Sequence, residues 1–476
     1  MNRKSGVLMH ISSLPGKFSC GSFGKSAKDF VDFLSRSGFS YWQVLPFCPT
    51  DEYNSPYKSH STFAGNLNFI DLEVLFEKGL LKECELKEAE QESLYLCEFE
   101  RLSEERFELL KKASSRVKNK KTITDFAEKN SYIQSYCKFM ALKHANDFNE
   151  WQKWTVYEYS EDVLFAWQFI QYEFFRQWKE IKLYANQKNI EIIGDIPFYV
   201  SFDSADVMAN KKLFQLGENG YPLKVAGVPP DYFSEDGQLW GNPLYDWNEM
   251  KKDGYLWWTD RLKTMLELFD GLRIDHFRAI EAYFAIDAKE ETAKNGNWVK
   301  GPGMDFIEKI KEVAADKLII AEDLGVITKE VEELVEKSGF PCMRVFQFGF
   351  FGGESNHMPH NYKNNCIAYA GTHDNNTLLG YLWELEDDKR TKMLSYCGYD
   401  EPDWTKGLKS MIRTIFASSA GVVIFPIQDL LGYGSDTRIN FPGRADDNWR
   451  YRVTKEQLET IDTDYYKKLN EEYFRI

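Results

Sequence analysis

Phe269-Asp270-Gly271-Leu272-Arg273-Ile274-Asp275-His276-Phe277 is a short apolar run that closes on a carboxylate. Side chains alternate along an extended chain, so Leu272 and Ile274 share one face while Gly271, Arg273 and Asp275 share the other. Two more runs end in the same way. Leu318-Ile319-Ile320-Ala321 leads into Glu322-Asp323-Leu324-Gly325, and Ile367-Ala368-Tyr369-Ala370 leads into Gly371-Thr372-His373-Asp374-Asn375-Asn376. Five further runs, at 6–11, 41–46, 190–200, 342–348 and 422–428, have the same character. Each is rich in Ile, Val, Leu or aromatic residues and is bounded by Gly, Pro, Asp or Asn, the pattern of strands buried on both faces. Segments of about 20 residues or more lie between them, enough for right-handed helical crossovers. Eight such units predict an α/β fold, a (β/α)8 TIM barrel occupying 1–476 as a single catalytic unit.

Between the runs, the clearest crossover helix carries Trp167, Ile170, Phe174, Trp178 and Ile181 at spacings of three and four, a stripe expected to pack into the core. Residues 71–161 have no strand pattern, are rich in Glu and Lys, and show helical spacing around Phe107-Glu108-Leu109-Leu110. They are expected to form a helical insertion subdomain with solvated charged faces. Residues 201–255 contain two Gly- and Pro-rich motifs and are expected to form a loop-rich insertion covering the active site.

The net charge of −15 argues against a nucleic-acid partner, which requires clustered Lys and Arg. A neutral or cationic ligand fits better. Eight cysteines without a C-x-x-C pair suggest reduced thiols rather than a disulfide framework or zinc knuckle. No apolar run reaches the length of a signal peptide or a membrane span, so a cytoplasmic location without a membrane partner is expected. His357-Met358-Pro359-His360 is the only close histidine pair, and its Pro disfavours a helix presenting both rings on one face. No metal is therefore expected, and the absence of a Walker or G-x-G-x-x-G loop leaves nucleotide chemistry without a foothold.

The terminal acids carry the chemistry. If Leu272 and Ile274 face the helices, Arg273 and Asp275 face the barrel interior, where the cation should pair with the carboxylate and keep it ionised. Asp275 then suits a nucleophile, although a structural ion pair has the same pattern. Alternation leaves open whether Glu322 or Asp323 looks into the site; the longer Glu suits proton delivery, and Asp323 suits a helix N-cap. Asp374 could be a turn residue if it stood alone. Three strands ending in acids at one rim change that balance, because the rim at the strand carboxyl ends is where barrel enzymes react. Two carboxyls about 5–5.5 Å apart would support a retaining glycosidic displacement.

Laid side by side, the motifs resemble those of the amylomaltases, the 4-α-glucanotransferases or disproportionating enzymes of the α-amylase clan. The resemblance covers nearly the whole chain. It rests on Ser13-Leu14-Pro15-Gly16, Ser55-Pro56-Tyr57, Phe63-Ala64-Gly65-Asn66, Gly194-Asp195-Ile196-Pro197 and Pro229-Pro230-Asp231-Tyr232-Phe233-Ser234. It continues through Gly237-Gln238-Leu239-Trp240-Gly241-Asn242-Pro243, the three acid-bearing motifs, Asn440-Phe441-Pro442-Gly443 and Asn448-Trp449. It implies Asp275 as nucleophile, Glu322 as general acid and base, and Asp374 as the group that grips sugar hydroxyls. It implies Arg273, His276 and His373 as partners of a bound glucose, Tyr57 and Asp195 as residues lining the same pocket, and Trp240 as part of a lid over the acceptor side. The implied partners are maltodextrin or starch- and glycogen-type α-1,4-glucan donors and acceptors, with no cofactor. A hydrolase or phosphorylase of the same clan and a non-catalytic glycan-binding barrel are the rival readings.

Overall fold

The computed structural model describes residues 2–230, 234–352, 355–444 and 446–476. Among them, twelve strands run in chain order as β1 (Lys4–Leu8), β2 (Tyr41–Gln43), β3 (Glu191–Ile196), β4 (Lys224–Val228), β5 (Gln238–Pro243) and β6 (Gly271–Ile274), then β7 (Ala282–Asp287), β8 (Asn297–Lys300), β9 (Leu318–Ala321), β10 (Cys342–Val345), β11 (Cys366–Tyr369) and β12 (Val422–Pro426). Eight close a barrel in the order β1-β12-β11-β10-β9-β6-β3-β2, with every neighbouring pair parallel. Helices lie between the barrel strands, so this is a (β/α)8 TIM barrel, and all eight predicted runs contribute a strand to it. The barrel strands are short and almost wholly buried, as expected where one face meets the barrel interior and the other meets helices. Gly194 in β3 allows this closeness: a Cβ there would sit 2.3 Å from the ring of Phe269.

The crossover helix Glu161–Gln187 buries Trp167, Ile170, Phe174, Trp178 and Ile181, the predicted stripe. Trp178 donates its indole N–H to the Leu268 carbonyl, which ties the helix to the approach to β6. Between β2 and this crossover helix lie five α-helices, Leu72–Glu77, Glu83–Glu88, Phe99–Ser115, Lys120–Lys129 and Ser131–Ala145. Phe107 stacks on Trp167 with ring centroids 4.9 Å apart, so the insertion uses the crossover helix as its floor.

The stretch after β3 holds more regular structure than its Gly and Pro content suggests. Besides the helices Ala205–Ala209 and Trp247–Lys252 it contributes β4 and β5, which join β7 and β8 in an antiparallel sheet ordered β5-β4-β7-β8. The connection from β3 to β6 supplies half of this sheet, and the chain leaving β6 supplies the other half. Both leave the barrel from strand carboxyl ends, so the small sheet is tethered at the rim where Asp275 emerges. No helix among the described residues is long and apolar enough to cross a membrane.

Candidate active site

Register explains why the acids meet. Across β3 and β6, Asp195 is the partner of Arg273; across β6 and β9, Ile274 is the partner of Ala321. The next residues, Asp275 and Glu322, therefore leave the barrel on adjacent strands. The Asp275 amide donates to the Ile196 carbonyl at 3.0 Å and the Glu322 amide to the Ile274 carbonyl at 3.3 Å, so both backbones are still held by the ladder where their side chains enter the mouth.

Arg273 organises the charges. Its Nη1 lies 2.8 and 2.7 Å from the two Asp195 oxygens. Its Nη2 lies 3.0 Å from Asp275 Oδ1 and 4.0 Å from Glu322 Oε2. Arg273 and Asp195 are both buried, and a buried ion pair is far more costly to break than to leave intact. Arg273→Leu is expected to lower the unfolding free energy by about 3–5 kcal/mol, because Asp195 would remain buried without its cation. Urea melts at pH 7 measure this, and an unchanged midpoint would mean that Asp195 finds another partner.

His276 takes a left-handed backbone conformation with φ of 49°, uncommon for a residue with a Cβ. This turn aims its amide N–H at Glu322 Oε2, to which it donates a hydrogen bond. Its imidazole is packed edge-on against Trp240 with centroids 4.9 Å apart, and Nε2 is buried without a partner. Burial, helped by Arg278, pushes the ring down to about 3, so it is neutral at ordinary pH.

Tyr57 joins the two sides of the mouth. Its hydroxyl donates to Asp195 Oδ2 at 2.8 Å and lies 3.4 Å from His373 Nδ1, and its ring stacks on His373 at 5.0 Å. His373 Nε2 is 3.3 Å from Asp374 Oδ2. Asp374 also accepts from Asn440 Nδ2 at 2.6 Å, while Arg438 donates to its carbonyl. With 45% of its side chain exposed, Asp374 is the most open of the three acids.

Burial pushes Glu322 up to about 7, opposed by Arg273 and the His276 amide and reinforced by Asp323 and Asp374. Asp275 needs a correction to the sequence-based expectation. Arg273 does pull its carboxyl down, but burial outweighs that pull, and Glu322, Asp195 and Asp374 add to the upward shift. Two carboxyls around one guanidinium titrate as a pair and hold a proton together. That proton rests on Glu322, because Arg273 binds Asp275 at 3.0 Å against 4.0 Å, and Asp275 keeps 28% of its side chain open to water against 11% for Glu322.

All nine residues singled out in the sequence thus fall into this one network. Asp323 turns away from it: its oxygens accept from the Met343 amide at 2.8 Å and from Arg344 at 2.9 Å, and it caps no helix, the next one starting at Lys329 behind Thr328. His357 and His360 serve separate partners, the Val345 amide and the Tyr396 hydroxyl. Arg438 and Asn440, the holders of Asp374, were not assigned a role from sequence. Asn440 stands in a conspicuous Asn-Phe-Pro-Gly motif, the one signal that could have flagged it. Tyr232 and Phe233, part of the Pro229–Ser234 motif, lie outside the described residues.

The family profile described as 4-alpha-glucanotransferase matches residues 9–458. The chain belongs to this family. The 4-alpha-glucanotransferase of Clostridium butyricum is 44% identical over 467 residues, which span 94% of this chain and 95% of the relative. That of Streptococcus pneumoniae is 44% identical over 497 residues, covering 98% of both. Among solved structures, an amylomaltase from Streptococcus agalactiae in complex with acarbose superposes with a TM-score of 0.95 at 36% identity, covering all of both chains. The amylomaltase from Corynebacterium glutamicum, at 16% identity and a TM-score of 0.82, shares the fold. This glucanotransferase is therefore an enzyme that acts on α-glucans, a hexosyltransferase of the amylomaltase kind.

Proposed function

We propose that the enzyme moves α-1,4-glucan segments from a maltodextrin donor to the 4-hydroxyl of a glucan or glucose acceptor by a retaining double displacement. Asp275 attacks the anomeric carbon as Glu322 protonates the departing glycosidic oxygen, giving a covalent glucosyl-enzyme. Glu322, now a carboxylate, takes the proton from the incoming hydroxyl as the sugar leaves Asp275. Asp374, open to the mouth and braced by His373 and Asn440, grips the hydroxyls of the reacting glucose. Arg273, Asp195, Tyr57, His276 and Trp240 shape the pocket around that ring, with the partnerless Nε2 of His276 left for a hydroxyl. Starch- or glycogen-type chains are the larger donors and acceptors, and the cytoplasm is the place of work.

One observation carries this reading. Asp275 Oδ1 and Glu322 Oε2 lie 3.0 and 4.0 Å from the same Arg273 nitrogen, so they cannot be farther apart than those two distances laid end to end. That closeness agrees with the roughly 5–5.5 Å separation that retaining enzymes use. Incubation with maltotriose alone tests the activity: a ladder of longer maltodextrins together with glucose is expected, whereas shortening without lengthening would replace transfer by hydrolysis.

Transfer requires a sugar rather than water to resolve the intermediate. The β4–β5 hairpin places Trp240, on β5, against His276, and its closure over the acceptor would keep water out. Trimming residues 229–237 from the hairpin is expected to lower the ratio of transfer to hydrolysis with maltotriose several-fold. Chromatography of the products reads the ratio, and no change would remove the hairpin from the account of selectivity.

A further inference from the structure

Residues 151–157, at the end of the helical insertion, and 208–221, between β3 and β4, together with Glu249, line an open cavity of about 810 Å³. None of the residues around Asp275 lines it. Its volume falls in the range of small-molecule sites, about 300–1,000 Å³. Trp151 and Trp154 form buried walls, while Tyr157 and Tyr221 are 72% and 40% exposed. Both tyrosines are anchored: Tyr157 donates its hydroxyl to the Trp154 carbonyl at 3.1 Å, and the Tyr221 ring packs on Phe202 at 5.7 Å. Held rings with open faces are platforms, since a pyranose offers an apolar face to an aromatic ring while its hydroxyls stay free for hydrogen bonds.

The polar groups narrow the ligand class. Gln152 lines the cavity, and both its Nε2 and Oε1 are buried without a partner. An unpaired buried amide is costly, and it requires one acceptor and one donor. Adjacent sugar hydroxyls supply both. Charges cancel around the rim: Lys211 and Lys212 stand with Glu218 and Glu249, the Lys211 ammonium lies 4.6 Å over the Trp151 ring, and Glu249 pairs with Lys252. Neither an anion nor a cation is selected, and a neutral polyhydroxylated ligand is.

We propose that this cavity is a second carbohydrate site that holds an α-1,4-glucan chain away from the bond being cut. The proposal rests on the glucan reading of the active site and extends it to long chains. A chain bound at both places gains effective concentration at the reacting end, an advantage that a trisaccharide too short to reach cannot share.

The test compares the parent with Tyr157→Ala/Tyr221→Ala and with Gln152→Met, using maltotriose and amylose as substrates and electrophoresis through gels containing glycogen. The double variant is expected to raise KM for amylose about tenfold and to lose retardation by glycogen, with kcat and KM for maltotriose unchanged. Gln152→Met is expected to weaken retardation, although removal of an unpaired amide would raise Tm if its role were structural alone. Parental retardation and parental amylose KM in both variants would overturn the proposal. So would equal losses with maltotriose and amylose, because the residues would then act through the fold. If the parent itself makes no longer maltodextrins from maltotriose, the active-site reading fails, while glycogen retardation of parent against variants still decides the cavity.

Discussion

Asp275→Asn is expected to lower kcat for maltotriose disproportionation by roughly 10⁴-fold or more while leaving the fold intact. The exchange keeps the shape of the side chain and removes the charged oxygen that would bond the anomeric carbon. Stability should survive because Arg273 retains its closest partner: Asp195, with both oxygens within 2.8 Å of Nη1, still balances the guanidinium. Loss of the Asp275 carboxylate also relieves crowding among Asp275, Glu322, Asp195 and Asp374, all of which lie in one field. Thermal melts therefore serve as the control, and a Tm close to the parent's is the expected companion of the lost activity. A second variant separates nucleophile from mere electrostatic support. Asp275→Gly should accept azide in the vacated space, and attack from that side yields a glucosyl azide of inverted configuration. Turnover of Asp275→Asn within tenfold of the parent would take the nucleophile's role away from Asp275.

The barrel was legible because its strands are local objects: three to six residues of one character, ended by chemistry that can be named. The run 190–200 stops as a strand at Ile196 because Pro197 has no N–H to give the ladder. The run 41–46 stops at Gln43, after which the Leu45 amide turns to His10 Nδ1. The small sheet was not legible. β4 and β5 contain Gly227, Gly241 and Pro243, which blur the alternating pattern, and β4 gains its second partner only from β7, on the far side of a barrel strand. The same contrast holds in the site. Asp275 and Glu322 could be picked out because register puts the residue after a strand beside the residue after its neighbour. The partners of Asp374 could not, because Asn440 and Arg438 reach it across 66 and 64 residues from a loop without period. The role of Asp323 likewise becomes visible only with Arg344, on the next strand. Ionisation was the least legible feature: the sequence names Arg273 as a neighbour of Asp275, but how much water each carboxyl keeps depends on the packing of the whole mouth.

Glu322→Gln is expected to cost roughly 10²–10⁴-fold in kcat on maltotriose, and its pH behaviour identifies the proton it moves. Glu322 must be protonated to assist the leaving oxygen, and burial holds its carboxyl at about 7, so kcat/KM of the parent should fall as pH rises through that value. The acid limb belongs to the pair as a whole, since Asp275 must lose its proton to attack. In Glu322→Gln the alkaline fall should vanish. A donor whose leaving group needs no proton, such as α-maltosyl fluoride, should restore formation of the covalent intermediate in Glu322→Gln and fail to do so in Asp275→Asn. Stability supplies an independent check. A carboxyl raised in the folded state from an ordinary value of 4.5 to about 7 favours folding while protonated, and that advantage fades as pH climbs between those two values. Glutamine has no proton to lose, so Tm of Glu322→Gln should gain on the parent across this window and stay ahead above it. A parental alkaline limb in Glu322→Gln, or equal Tm differences at pH 4 and pH 8, would assign the proton to another group.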